Sequence, residues 1–491
     1  MSTRTFQLYI DGAFCDAKET FPSINPATEQ PWALMPSADA SDVDRAVRAA
    51  HRALTDSAWS RMNATARGKL LMKLADLMVE NNDLLAEIET TDTGKIRRET
   101  KSQVLYIAEY YRYFAGLADK VTGSHMPIDK ADMEAYTVRE PIGVVAAIVP
   151  WNSQMFLSAV KLAPALAAGC TVVLKASEDG PAPLLEFARL VHEAGFPAGV
   201  VNIITGFGDT CGKELTSHPL VSRIAFTGGP GTARHIVANS AQNLAVTSLE
   251  LGGKSPVIVF EDADVTSAAN AIISGIFAAT GQSCVAGSRL IVHESIHDEL
   301  IETLVAKART ISIGDPQSLD TEMGPLATSR QLSLIKDLVH RSIEQGATLL
   351  TGGRQPESMA TGYYFEPTVL DCISPETACV QEELFGPVLS VLTFRTEEES
   401  VALANDTKYG LASGVFTRDL ARAHRVIRKI RAGIVWVNTY RVISPMMPFG
   451  GYGMSGYGRE GGAESILDYL RPKAVWINTS DTPIADPFVM R

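Results

Sequence analysis

From residue 143 onward, short runs of β-branched and aliphatic residues alternate with stretches of helical periodicity, and no other feature restricts the fold of this chain so strongly. The first runs are Gly143 to Val149, Thr171 to Leu174, Val200 to Ile204 and Arg223 to Phe226, interleaved with helical stretches such as Pro183 to Glu193 and Cys211 to Thr216. A strand that returns through a helix can lie parallel to its predecessor, so the pattern predicts a parallel sheet with crossover helices. The alternation resumes after residue 250, with Val257 to Phe260, Arg289 to His293, Ala347 to Thr351, Val388 to Phe394, Ala412 to Thr417 and Gly433 to Val437 as strands, which implies a second α/β unit. At roughly 150 residues per domain, 491 residues suffice for about three units.

Upstream, Ser41 to Ala53, Ala64 to Asn81 and Lys101 to Asp119 place apolar residues at three- and four-residue spacing, and Ser41 and Asp42 suit the cap of the first helix. The most apolar run, Leu157 to Leu174, is interrupted by Lys161 and falls short of the roughly 20 clean apolar residues of a membrane span, so it reads as a buried helix followed by a strand. Two segments fit neither α/β unit: Val121 to Arg139, and Arg471 to Val489 with its extended Lys473 to Asn478. Short extended pieces outside the domains suit sheet pairing between subunits.

The charge balance narrows the partners. With 44 Lys and Arg against 56 Asp and Glu, the net charge is −12, which argues against a nucleic-acid surface. Six scattered cysteines do not form a disulfide framework, and the reading is a cytoplasmic protein with neither a signal peptide at Met1 to Phe14 nor a membrane span. The nine histidines include one close pair, His293 and His297, without a third ligand, so no metal is expected.

Three places carry chemistry. Cys284 lies in Ala278-Ala279-Thr280-Gly281-Gln282-Ser283-Cys284-Val285-Ala286-Gly287, where small neighbours let a substrate approach a thiol; a cysteine taken alone is more often an inert, packed core residue. Glu250 in Leu249-Glu250-Leu251-Gly252-Gly253-Lys254 is an acid among apolar neighbours, whose desolvation raises its proton affinity as a general base requires. Asn152 in Val149-Pro150-Trp151-Asn152 ends a strand and offers an amide to a developing oxyanion, or is simply a turn residue. Of two glycine-rich turns, Gly206 to Gly212 is a weak dinucleotide fingerprint with one residue too many, whereas Phe226-Thr227-Gly228-Gly229-Pro230-Gly231 sits between a strand and a helix, where free N–H groups favour a phosphate.

Taken in order along the chain, Pro150-Trp151-Asn152, Val173-Leu174-Lys175-Ala176-Ser177-Glu178, Phe226-Thr227-Gly228, Glu250-Leu251-Gly252-Gly253-Lys254, Gly281-Gln282-Ser283-Cys284, Glu382-Glu383-Leu384-Phe385-Gly386-Pro387 and Pro448-Phe449-Gly450-Gly451 resemble the aldehyde dehydrogenase superfamily. The resemblance implies an α/β fold with a Rossmann-like cofactor domain (1–120 and 140–249), a second α/β catalytic domain (250–452) and a small oligomerisation sheet (121–139 and 471–491) in a homodimer or homotetramer. It implies that Cys284 attacks an aldehyde, that Asn152 and the Cys284 N–H hold the oxyanion, and that Glu250 activates the water that releases a carboxylic acid. Lys161 is implied as a further catalytic residue, with a proton relay sought at Ala463 and its neighbour Glu464.

The resemblance also implies NAD as cofactor, with Lys175 and Glu178 at the adenosine ribose, Gly228 and Gly229 at the pyrophosphate, Trp151 as a wall, and Glu383 and Phe385 at the nicotinamide ribose. A carboxylate at Glu178 repels a 2′-phosphate, while Lys175 leaves NADP as a weaker alternative. The substrate tunnel is expected along Tyr106, Tyr110, Phe156, Tyr440 and Arg441. Here the chain departs from the family's usual pattern: Gly229 and Pro230 follow Phe-Thr-Gly in place of a serine, and Gly453 stands where a polar residue is usual. A coenzyme A-dependent acylating enzyme and a non-catalytic protein on the same scaffold stay open as alternatives.

Overall fold

The computed structural model describes residues 4–489. Five strands, Val144–Ile148, Thr171–Ala176, Val201–Thr205, Val221–Thr227 and Val246–Glu250, form the parallel core of an eight-stranded sheet. Across the sheet the order is 246, 221, 144, 171, 201, so the direction of winding reverses between the first and fourth strands in the chain. The pleat explains why these strands read as unbroken apolar runs. Val145, Ala147, Val172 and Leu174 face a core built with helices Ala64–Glu80 and Arg97–Leu117, while Val144, Ala146, Val173 and Ile224 face Val43, Val47 and Ala50 of helix Ala40–Thr55 on the other side.

The antiparallel strands Leu8–Ile10 and Ala13–Cys15 extend one edge, and Gly456–Tyr457 pairs with Val246–Glu250 at the other, so the sheet recruits chain from beyond residue 452. A second sheet has seven strands in the order Thr348–Thr351, Thr368–Asp371, Val388–Phe394, Arg289–His293, Pro256–Val259, Ala412–Phe416, Ile434–Val437, all parallel but the first. The two orphan segments meet: Met133–Pro141 pairs antiparallel with Leu470–Asn478 over nine residues, and His125–Met126 adds a third strand. Among the described residues no helix is long and apolar enough to cross a membrane.

Several local readings change. The first helix starts at Ala40, and its cap is Asp39 in place of Ser41 or Asp42: the Asp39 carboxylate accepts from both their N–H groups, and Asp42 closes the capping box. The helix expected from Lys101 begins at Arg97, and a further helix, Asn82–Thr93, follows directly on the one before it, with Asn81 at its N-cap making no side-chain capping bond, and has a Thr-rich end that hid it. Glu250 ends a strand, Val246–Glu250, that was not separated from its loop.

Asp92, near the end of that unread helix, joins three elements. Its buried carboxylate accepts from Ser23 Oγ at 2.5 Å, Trp32 Nε1 at 2.8 Å and the Ala182 N–H at 2.8 Å. Burial raises its pKa to about 6, only partly offset by the three donors. A carboxyl whose folded pKa is raised favours the fold most at pH below its unfolded value of about 4, and that contribution is lost as pH rises through about 6. Asp92→Ala strands three buried donors and is expected to cost about 2–3 kcal/mol, read as a lowered Tm in thermal unfolding.

Candidate active site

Cys284 sits on a loop that must bend sharply. After helix Val265–Phe277, Ala279, Thr280 and Gly281 all have positive φ (52°, 54° and 69°). The turn is held from three directions: Glu99 accepts from the Ala279 N–H at 3.0 Å, Thr280 Oγ1 donates to the Gly324 carbonyl at 3.0 Å, and Gln282 Oε1 accepts from the Ala327 N–H at 2.9 Å. Gly281 is required there, because a Cβ would stand 2.1 Å from the Gly386 carbonyl oxygen.

Asn152 follows the Val144–Ile148 strand in the short turn Trp151–Ser153, and its Nδ2 donates to the Gln282 carbonyl at 2.9 Å, two residues before the thiol. Glu250, at the end of its own strand, has both carboxylate oxygens buried without a hydrogen-bond partner among the described residues. The three groups line one cavity of ≈ 320 Å³. Three of the groups around it are harder to ionise than in water. Burial, then the Glu460 charge, raise the Glu250 pKa well above the usual carboxylate range against the opposing pull of Lys161 and Arg459. Burial raises Glu383 to about 7 although it accepts from the Gly253 N–H at 2.9 Å. Burial, with the Glu250 and Glu383 carboxylates, pushes the Cys284 thiol up to about 12.

Two openings lead from this cavity. Through Pro150, Trp151, Thr227, Gly228 and Gly229 it joins a cleft of ≈ 300 Å³ over the carboxyl ends of the first sheet, at the place where the strand order reverses. That cleft contains Lys175 and Glu178, whose side chains pair at 3.4 Å, and Gly208 and Gly212 of the turn that read as a weak fingerprint. Gly229 has open space where a side chain would be, just ahead of helix Pro230–Ser240. Glu383 and Phe385 line the inner cavity, with the Phe385 ring edge-on to Trp151 at 5.4 Å. Through Gln103, Tyr106, Asn152, Ser153 and Arg441 the cavity opens the other way into a mouth of ≈ 890 Å³.

On that side Tyr106, Tyr110 and Phe156 form an aromatic cluster with centroid separations of 5.3–6.0 Å. Tyr440 does not join them. It is a core residue whose hydroxyl donates to the Val285 carbonyl at 3.0 Å and whose ring packs against Trp436 and over Gly275, Gly287 and Gly414, so it props the thiol loop from behind. Its neighbour Arg441, with φ 61°, faces the cavity instead. Lys161 lies outside the cavity wall, donating to Thr227 Oγ1 at 2.6 Å and paired with Glu460. Its acid partner is therefore neither Ala463 nor Glu464, which line a separate surface hollow, but the Glu of Gly458-Arg459-Glu460, a buried residue beside Glu250 that the sequence reading passed over.

The family model for the aldehyde dehydrogenase family matches residues 14–475. The chain belongs to the aldehyde dehydrogenase family. It is 63% identical over 487 residues, 99% of each chain, to the (Z)-2-((N-methylformamido)methylene)-5-hydroxybutyrolactone dehydrogenase of Acinetobacter baylyi, and 40% identical to the betaine aldehyde dehydrogenase of Bacillus subtilis, covering 97% of this chain and 98% of that one. Its fold superimposes with a TM-score of 0.95 on the NAD+ complex of the aldehyde dehydrogenase from Bacillus cereus, at 40% identity and 97% coverage of both chains.

The charges around Glu250 make opposite predictions for two substitutions. Glu460→Gln removes a neighbouring negative charge, so the Glu250 pKa falls and the acid limb of the pH–kcat profile moves to lower pH; Lys161→Met removes a positive charge and moves it to higher pH. Lys161→Met also leaves Glu460 as a buried, unpaired carboxylate and is expected to cost about 3–5 kcal/mol of stability, measured by denaturation.

Proposed function

We propose that the protein oxidises an aldehyde to a carboxylic acid with NAD as hydride acceptor, through an acyl intermediate on Cys284 that water hydrolyses with Glu250 as base. The observation that carries the reading is the convergence of a thiol, an unpartnered carboxylate and a side-chain amide on one cavity that opens on one side to a nucleotide-sized cleft and on the other to solvent. The residues of the cleft fit the cofactor: it lies at the topological switch point, Gly228 and Gly229 keep the backbone accessible ahead of a helix N-terminus, and Glu178 offers a carboxylate to ribose hydroxyls. The pairing of Lys175 with Glu178 occupies the cation that would otherwise welcome a 2′-phosphate, which favours NAD over NADP.

NAD, when bound, supplies the two-electron acceptor. The chain's own groups do the rest. Cys284 rests as a neutral thiol, so its sulfur adds to the carbonyl carbon as its proton leaves, and Glu250, with raised proton affinity and two free oxygens, is the acceptor within the same cavity. The oxyanion that forms is met by the Cys284 N–H and by the Asn152 amide, which uses one of its two hydrogens on Gln282 and has the other to give. After oxidation a thioester remains, and Glu250 takes the proton of the water that cleaves it. Between these steps the proton leaves Glu250, and the adjacent Glu460–Lys161 pair is the polar exit beside it.

The relative 63% identical to this chain is named for a 5-hydroxybutyrolactone, which supports a small polar substrate over a long alkyl aldehyde. Subunit pairing through the three-stranded sheet fits its exposed apolar side chains, Met126, Met133 and Trp476, the last 60% exposed.

The test is NADH formation with a panel of aldehydes. Cys284→Ala is expected to abolish turnover. Glu250→Gln is expected to slow NADH formation already in the first turnover, because the thiol loses its proton acceptor, and to lower steady turnover by about 10²–10⁴-fold. Unimpaired steady turnover in that variant would remove Glu250 from the role of base, and a thioester product on adding coenzyme A would replace hydrolysis by acyl transfer.

A further inference from the structure

The inner cavity is an unwelcoming place for an anion. Three carboxylates, Glu250, Glu383 and Glu460, line it, and among the described residues Arg441 is the one cationic side chain that does. The guanidinium donates through one nitrogen to the Ser274 carbonyl at 2.9 Å, and its remaining N–H groups have no partner among the described residues. Among the described residues no carboxylate is paired with it, whereas fifteen other arginines have one. The outer mouth repeats the sign: Lys95, Arg98, Lys307 and Arg441 against Glu99 and Glu322, in a chain of net charge −12. Arg441 is the point where the cationic mouth reaches the cavity of the thiol.

We propose that Arg441 is the carboxylate anchor of the substrate, and that the substrate is an open-chain oxo acid, with its aldehyde carbon at Cys284 and its carboxylate on the free donors of the guanidinium. The proposal rests on the aldehyde-oxidising reading above and names the substrate class for it. Chemistry supports the open form. In a 5-hydroxybutyrolactone the hydroxyl-bearing carbon is tetrahedral and offers sulfur no carbonyl to attack. When the hydroxyl loses its proton, its oxygen forms the C=O bond and the ring C–O bond breaks, the electron pair leaving as carboxylate. One neutral lactol gives one oxo-acid anion and one proton, with no change of oxidation state. The product is a 4-oxo acid: an aldehyde and a carboxylate on one short chain, the two groups that Cys284 and Arg441 would receive. A planar, forked donor with free N–H groups suits a carboxylate better than a point charge would.

The experiment compares 4-oxobutanoate, its methyl ester and butanal as substrates for the full-length enzyme with NAD. The acid is expected to exceed the ester in kcat/KM by about tenfold or more, and Arg441→Gln to lower kcat/KM for the acid by about 30–100-fold, chiefly through KM, so that acid and ester come within about threefold of each other. Arg441→Lys is expected to recover part of the loss, since charge survives but the fork does not. An ester used as well as the acid by the unaltered enzyme, or an equal proportional fall for acid and ester in Arg441→Gln, would overturn the anchor while leaving aldehyde oxidation intact. Failure of all three compounds to reduce NAD would overturn the parent reading and the anchor with it.

Discussion

The five residues Leu251-Gly252-Gly253-Lys254-Ser255 join the last parallel strand of one sheet to the first strand of the other, and the close approach they permit decides whether there is a site at all. A Cβ on Gly252 would stand 1.8 Å from Glu383 Oε2, and one on Gly253 would stand 2.6 Å from the Cys284 carbonyl oxygen. The second contact could not be relieved cheaply, because the neighbour is backbone, and relieving the first would pull the Glu383 carboxylate off the Gly253 N–H. The paired glycines thus allow the two sheets to come together with Glu250 at the end of one and the thiol loop of the other within a single cavity. Positions further out depend on that joint. Tyr440 supports the Val285 carbonyl, Asn152 reaches the Gln282 carbonyl from the first sheet, and Glu99 ties the same loop to the helix that carries Tyr106 and Tyr110.

Bringing the sheets together also sets the electrostatics. Glu250, Glu383 and Cys284 are drawn away from bulk water, and burial is the first cause of the raised proton affinity of each. Ionising one of them makes ionising the next harder, so with one carboxylate ionised the thiol keeps its proton, and the cavity stays low in charge. A reaction that begins by moving a proton from sulfur to a nearby carboxylate shifts charge within such a cavity without adding any. The Lys161–Glu460 pair lies behind Glu250 on the same principle: its two charges compensate each other, and their separate effects on Glu250 have opposite signs.

Much of this was legible in the chain, for reasons that differ between parts. The parallel strands are buried on both faces, which produces unbroken apolar runs that can be read without a partner sequence, and Arg289–His293 and Val388–Phe394 have the bounds that those runs suggest. The short strands near the N-terminus are half exposed and broken by Pro and Gly, so their composition does not separate them from loops. The site was legible through ordered motifs, because close backbone approach demands glycine and chemistry demands particular side chains. What escaped was direction. Tyr440 and Arg441 are adjacent in sequence, yet one turns into the core and the other into the cavity, a difference set by the positive φ at Asn438 and Arg441, where a local pattern gives no warning. Glu460 escaped for a related reason: an antiparallel bridge between Phe449 and Glu460 folds the late loop back onto Lys161, and such a long-range pairing has no period to read.

The two openings of the cavity divide the labour of selection. The cleft over the first sheet is walled by backbone and by a paired Lys175 and Glu178, whereas the mouth is walled by cations and aromatic faces. Because Cys284, Asn152 and Glu250 lie where the two routes meet, a group bound covalently to sulfur can stay in place while either route empties or fills. On the proposed mechanism, water for the last step would have a path that does not require the acyl chain to leave. A single deep pocket would have forced the substrate, the cofactor and the water to use one entrance in sequence; placing the joint between two sheets at the centre of the molecule removes that conflict, and it is the paired glycines that let the sheets stand close enough to do so.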